Sequence, residues 1–101
     1  MSGSGGKSGA GARIVVTVQG VDQVGIVARV TTLLAECRAN LTDISQSVLG
    51  GDLFVMVAVA DLLPDGASFE NLSDHMAALA ESLGVEIRVQ REEIFRAMHR
   101  V

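Results

Sequence analysis

The sequence predicts an α+β domain in which two helices cover one face of a four-stranded antiparallel sheet. Four short segments rich in β-branched residues predict strands, and two longer segments with apolar residues every three or four positions predict helices. A Gly-Gly-Asp turn joins the second and third strands as a hairpin. The order is β-α-β-β-α-β, the split β-α-β or ferredoxin-like arrangement, whose right-handed crossovers place both helices on the same face.

The predicted strands span 13–19, 41–49, 53–60 and 85–90, and the predicted helices span 23–39, 68–83 and, as a short terminal helix, 91–100. In the second helix, Ser68 is the expected N-cap and Gly84 the expected C-cap. Asn40 is the expected stop of the first helix.

Strand 53–60 is apolar at every position, so both faces of the sheet receive apolar side chains. We assign the odd-numbered residues from Leu53 to the helix-covered face and the even-numbered ones, including Phe54 and Met56, to the other face. Exposed Phe and Met side chains would form a large apolar patch. We therefore expect a second subunit and the terminal helix to cover that face together, and Met56→Asp to weaken the assembly.

Length and composition bound the class of protein. The 101 residues are enough for one domain, expected at 13–101, and no apolar stretch approaches the length of a membrane span. Residues 1–12 are rich in Gly and Ser, which predicts a flexible tail of the kind that expression vectors add. An apolar leader is absent there, and the single Cys37 excludes an internal disulfide. Both observations favour a cytoplasmic protein.

Charge argues against nucleic acid and membrane surfaces as partners. The net charge is −4, and residues 61–86 contain six acidic residues and no Lys or Arg. Such a run is typical of a solvated face, and it would repel phosphate-rich surfaces. On a neighbouring subunit, the basic residues that follow this acidic run would be able to pair with it: Arg88, Arg91, Arg96 and Arg100.

The candidate ligand site is the stretch 20–27, GVDQVGIV, between the first strand and the first helix. Asp22 is a good N-cap, so the following residues present backbone N–H groups at a helix start, where negative charge is favoured. Gly25 has no side chain to block a ligand. A carboxylate held by these N–H groups and an ammonium group held by Asp22 describe a small amino acid. The predicted ligand-binding residues are Asp22, Gln23, Val24, Gly25 and Ile26.

Other functions found with this order of strands and helices require residues that the chain lacks. An RNA-recognition module needs aromatic residues on the open sheet face, but the chain has three Phe and no Trp or Tyr. An acylphosphatase would use residues 18–21 as its phosphate loop, followed by an arginine where this chain has Val24. Cys37, His75 and His99 form no metal-ligand spacing. We therefore predict no enzyme activity, no cofactor and no metal.

Three segments together resemble the ACT domain: 20–27, 40–46 (NLTDISQ) and 85–100 (VEIRVQREEIFRAMHR). The last two are similar to the small stand-alone ACT proteins related to the glycine cleavage system repressor. Many ACT domains have proline where this chain has Val24. The resemblance implies the ferredoxin-like fold and binding of an effector amino acid at a dimer interface. It also implies that a separate protein is the partner, because no enzyme is attached.

Two functions remain open from the sequence. The first is a regulatory module that senses an amino acid at a dimer interface. The second is a ligand-free module that dimerises and binds a partner protein. Asp43 and Gln46 lie on the second strand, which is an edge in this topology, and they either protect that edge or contact a partner.

Overall fold

The computed structural model describes residues 12–21 and 23–98, with the backbone alone for Gln23. Its elements are β1 (Arg13–Gly20), α1 (Gln23–Glu36), β2 (Ala39–Leu49), β3 (Leu53–Leu62), α2 (Phe69–Leu83), β4 (Glu86–Arg91) and α3 (Glu92–Met98). The sheet order is β2-β3-β1-β4, and all neighbouring strands are antiparallel. The ferredoxin-like α+β fold is therefore confirmed. The predicted tail up to residue 11, Asp22 and residues 99–101 lie outside the described residues.

The core lies between one face of the sheet and the two long helices. Each helix contributes its apolar stripe, namely Ile26, Val30 and Leu34 from α1 and Leu72, Met76 and Leu79 from α2. The two central strands contribute the rest of the fully buried large side chains, including Ile14, Val16, Val18, Phe54 and Met56. Both helices thus cover the same face, as the two right-handed crossovers require.

The assignment of the two faces of β3 from the sequence is wrong. Phe54, Met56 and Ala58 are buried under the helices, whereas Leu53 is exposed and Val55 is half-buried on the open face. Alternation along a strand separates two faces but does not say which one is covered. The predicted use of Met56→Asp as a probe of assembly is wrong for the same reason, because Met56 is a core residue.

Local turn and cap signals are confirmed. Gly50 and Gly51 have positive φ angles of 62° and 91° in the β2–β3 hairpin, which glycine adopts without steric cost. At the start of α2, the Ser68 hydroxyl accepts the N–H of Asn71 at 3.1 Å. Gly84 ends α2 in the left-handed conformation, with φ 70°.

The first helix ends earlier than the sequence predicts. It stops at Glu36, and Arg38 rather than Asn40 takes the left-handed conformation, with φ 57°. The loop after β3 explains the stop, because the N–H of Ala67 donates to the Cys37 carbonyl at 3.0 Å. That carbonyl is drawn out of the helix, and β2 begins at Ala39 instead of residue 41.

The terminal helix α3 packs on the open face of the sheet, over β1 and β4. Met98 Sδ accepts a hydrogen bond from Gln90 Nε2 at 3.1 Å, and Glu92 lies 3.8 Å from the Arg13 guanidinium. Val15 points to this face and is nevertheless buried. The prediction that the terminal helix covers part of the open face is confirmed.

Candidate functional site

The connection between β1 and α1, which carries the predicted ligand site, is held by close packing around Gly20. A Cβ atom at this position would lie 2.4 Å from Cγ1 of Val85 and 2.8 Å from Cδ1 of Ile26. A side chain here would push the end of β1 away from the residue before β4 and from α1. Glycine therefore allows the close approach of β1 to Val85 and Ile26 at the point where the chain leads into the site.

The predicted ligand residues divide between surface and core. Val24 is 77% exposed and Gly25 is half-buried, so both are accessible at the start of α1. Ile26 is 1% exposed and its side chain belongs to the core, which leaves only its backbone for the predicted role. Asp22 lies outside the described residues, and Gln23 is described by its backbone alone.

The electrostatics of this helix start favour an anion. The first N–H groups of a helix have no partner within it, and with α1 beginning at Gln23 these include Val24 and Gly25. The first turn of α1 contains no acidic residue that would already compensate the positive end of the helix dipole. A carboxylate that approaches Gly25 therefore meets backbone N–H groups that have no partner inside the helix, and a favourable field.

The site lies beside a group of exposed apolar side chains that the sequence reasoning missed. Gly20 pairs with Phe54, so the end of β1 lies at the same end of the sheet as the β2–β3 hairpin. We call the exposed apolar residues of this end the apolar rim: Val21, Val24, Val48, Leu49 and Leu53. The signal available in the sequence was the pair of apolar residues on each side of the Gly-Gly turn, where polar residues are usual.

Asp43 and Gln46 do not form one site. They lie three positions apart on the part of β2 that follows the bulge between Leu41 and Asp43, so the alternation along the strand places them on opposite faces. The Thr42 hydroxyl donates to the Val59 carbonyl at 3.1 Å, and the Asp43 carboxylate accepts the N–H of Ile44 at 2.9 Å. Asp43 therefore has a local role in holding the bulge, a feature that interrupts pairing at a sheet edge.

Other reactive side chains are arranged as structural groups. His75 Nδ1 donates to the Asn71 carbonyl at 2.7 Å on the surface of α2. Burial raises the pKa of the Cys37 thiol, with a smaller contribution from the charge of Glu36, so the thiol is poorly reactive at neutral pH. Across 12–21 and 23–98, no three His, Cys, Asp or Glu side chains converge into a metal-binding group.

The acidic run is partly neutralised within the chain. Arg13 Nε donates to Asp61 at 2.9 Å, Arg38 pairs with Asp65 at 3.1 Å, and Arg91 lies 3.7 Å from Glu70. The Arg91 guanidinium also stacks over the ring of Phe69, 4.3 Å from its centroid. Arg91 thus contacts an acidic residue of its own chain, and its contact with the acidic face of a neighbouring subunit stays a prediction.

Comparisons with known proteins agree with this architecture. The family model of the ACT domain matches residues 12–90. A UPF0237 protein of Methanopyrus kandleri is 49% identical over 89 residues, which are 88% of this chain and 98% of the relative. A UPF0237 protein of Listeria monocytogenes is 43% identical over 89 residues, covering 88% of this chain and 99% of the relative. In the described part of the chain, no helix is long and apolar enough to cross a membrane.

Solved structures show the same fold. An ACT domain protein from Streptococcus pneumoniae aligns with a TM-score of 0.73 at 37% identity, over 88% of this chain and 99% of that chain. A putative glycine cleavage system transcriptional repressor aligns with a TM-score of 0.72, over 84% of this chain and 49% of that one. At 18% identity, the second likeness concerns the fold alone. The family model and the close relatives together place this chain in the ACT domain family.

Proposed function

We propose that this protein is a regulatory module that binds a small amino acid at the β1–α1 connection, close to the boundary between two copies of the chain. ACT domains are in general regulatory modules that bind ligands such as amino acids. The observation that carries the proposal is the accessible start of α1, where Val24 and Gly25 present N–H groups that have no partner inside the helix, next to the close packing around Gly20.

The ligand class follows from the two charges that the connection offers. The helix start takes a carboxylate, and the Asp22 carboxylate takes an ammonium group, which a phosphate ligand has no use for. Gly25 carries no side chain that would block a small ligand. The module acts without a reaction of its own, because Val24 stands where an acylphosphatase needs arginine.

The position of the site supports its place near a subunit boundary. Gly20 packs against Val85, which immediately precedes β4, and β4 is an edge strand. A second copy that docks on that edge would come within reach of the connection. The lone buried Cys37 fits a reducing compartment, so we assign the module to the cytoplasm.

The second candidate function is a ligand-free module that binds a partner protein. The apolar rim favours it, because five exposed apolar residues at one end of the sheet suit a protein contact whether or not a ligand is present. The two functions differ in one measurable property, which is the heat of amino-acid binding.

Calorimetry of the full chain against the common amino acids tests the proposal. We expect one small amino acid to bind, and Asp22→Asn to weaken it by roughly 1.5–3 kcal/mol, the range for a hydrogen bond to a charged group. Asparagine caps a helix about as well as aspartate, so the thermal midpoint should not change. Gly25→Val should abolish binding and keep the helix, since valine is the better helix former.

The control is Asp74→Asn, which removes an exposed carboxylate on α2 that has no ion-pair partner among the described residues. The Asp74→Asn variant should bind the amino acid with the same affinity as the unmodified chain. If no amino acid gives heat or raises the thermal midpoint at millimolar concentration, the ligand-free function replaces the sensor.

A further inference from the structure

We propose that the open face of the sheet holds a second ligand site, which binds a zwitterion that carries an apolar group. We call it the open-face site: Thr17, Gln19, Val55, Val57, Glu86 and Arg88. It lies on the face of the sheet opposite α1 and α2, so it differs from the β1–α1 connection and goes beyond the function proposed for that connection. The first observation is a cavity of about 700 Å³.

The cavity lies over β1 and β3 and continues around the edge of β4 towards α2. Thr17, Val55 and Val57 line its floor, and all three are half-buried. The neighbouring helix α3 contributes Phe95 and Met98 to the lining. Because the floor is only half-buried, an apolar group that covers it would remove further apolar area from water, which favours binding.

The strand register fixes which side chains share this face. Two adjacent rows of paired residues cross it from β3 through β1 to β4: Val57–Thr17–Arg88 and Val55–Gln19–Glu86. Directly paired residues point to the same side of a sheet, and neighbouring strands are about 4.8 Å apart. The face therefore changes from apolar on β3 to charged on β4 over roughly 10 Å.

Glu86 and Arg88 supply the two charges that the ligand must match. Both are exposed, and within 12–21 and 23–98 neither forms an ion pair. They are two positions apart on one face of β4, so their Cα atoms are roughly 7 Å apart. A ligand carboxylate would pair with the Arg88 guanidinium, and a ligand ammonium group would pair with the Glu86 carboxylate. A molecule with only one of these charges would meet a like charge on the other residue.

Thr17 adds a hydrogen-bonding group between the apolar and the charged part of the site. Its hydroxyl is half-buried and forms no side-chain hydrogen bond in the part of the chain that the structure describes. Gln90, on the same face, donates to Met98 Sδ at 3.1 Å and so holds the end of α3 beside the cavity. The site thus has an unused polar group at its centre and a fixed wall.

The position of α3 favours a small molecule over a second copy of the chain. This helix packs on β1 and β4, where it covers Val15 to 2% exposure. A helix is about 10 Å across, so a flat partner surface would meet α3 before it reached the floor. A ligand of amino-acid size enters beside the helix without that obstacle.

Matched probes test the ligand chemistry by calorimetry of the full chain. L-leucine carries both charges and an apolar group and should bind. Three related molecules each lack one feature: 4-methylpentanoate has no ammonium group, 3-methylbutylamine has no carboxylate, and glycine has no apolar group. Each should bind this site at least about tenfold more weakly than leucine, since each loses a charged contact or the cover of the floor.

Charge removal on β4 tests the location. Arg88→Gln keeps most of the side-chain length, removes the cation, and should weaken leucine binding at least about tenfold. The thermal midpoint should not change, because the Arg88 side chain is exposed. Arg29→Gln, at an exposed arginine of α1 without an ion pair in the described chain, is the control and should bind leucine as the unmodified chain does.

Absence of leucine binding, equal binding of the singly charged probes, or an unchanged affinity in Arg88→Gln would overturn the open-face site. A chain mass that falls in Arg88→Gln by light scattering, with no heat from leucine, would mean that a second copy covers the face, which also overturns it. Comparison with Gly25→Val separates the two sites. Leucine binding lost in Arg88→Gln and kept in Gly25→Val supports the open-face site alone, and the reverse result supports the sensor at the β1–α1 connection alone.

Discussion

The two faces of β3 carry the same kind of residue and have opposite environments. Phe54, Met56 and Ala58 face the long helices and are at most 1% exposed. Between them, Val55 and Val57 face the open side and remain half-buried, and Leu53 is 39% exposed. Hydrophobicity along the strand does not distinguish the two sets. The difference comes from the crossovers, which bring both helices to one face.

The open face of the sheet, in contrast, is covered only in part, by a single short helix. α3 has seven residues and covers the part of the sheet around Val15, which is 2% exposed. None of the residues of α3 is itself buried, and Ile94 and Met98 are more than half exposed. The helix-covered face is therefore a closed core, whereas the open face is a partly covered surface that retains room for partners.

The largest effect should come from a charge on each face of β3. Met56→Asp places a carboxylate in the core without a partner, and we expect a loss of at least about 4 kcal/mol in the free energy of unfolding. Val57→Asp makes the same change on the half-covered face, where water reaches the carboxylate, and should cost roughly 1 kcal/mol. Urea unfolding followed by circular dichroism compares the two. Equal losses would mean that the open face is as closed as the core.

A smaller effect is expected where the helix-covered face meets the candidate site. Gly20→Ala adds a methyl group in contact with Val85 and Ile26, and overpacking of this kind costs about 1–3 kcal/mol. Val85→Ala removes the Cγ1 atom nearest to that methyl group. The double variant should therefore lose less free energy of unfolding than the sum of the two single variants. Simple additivity would show that the contact does not constrain the connection.

The smallest effect concerns the buried thiol of Cys37. Burial raises its pKa in the folded chain, so the unfolded chain loses the thiol proton first as the pH rises. The free energy of unfolding should be insensitive to this group below the ordinary thiol pKa of about 8.5 and should decrease above it. Cys37→Ser should lack that alkaline decrease. An identical pH dependence in both proteins would place the thiol in contact with water.

Most of the fold could be predicted because its signals are local. Gly50 and Gly51 adopt positive φ angles that specify the hairpin, and Ser68 and Gly84 cap α2 through contacts within a few residues. The end of α1 could not be predicted in the same way. The carbonyl that ends it is bound by Ala67, thirty positions further along the chain, which no local pattern contains.

The candidate site shows the same division. Its location between β1 and α1 follows from the sequence, because a helix start after a strand has unpaired N–H groups wherever the chain goes next. The role of Ile26 did not follow, since the burial of its side chain depends on the direction in which α1 crosses the sheet. The space at Gly20 is limited by Val85, sixty-five positions away, and that contact exists only in the folded chain.

By itself the sequence determined the order of the elements, the turns between them and the amphipathic character of the long helices. Short-range backbone and side-chain preferences decide those features. Only the tertiary structure decided which face of β3 is covered, which apolar residues form the rim, and that the edge of β4 lies open between α2 and α3. The physical reason is that alternation along a strand divides its residues into two equivalent sets. Helix packing on one side of the sheet removes that equivalence.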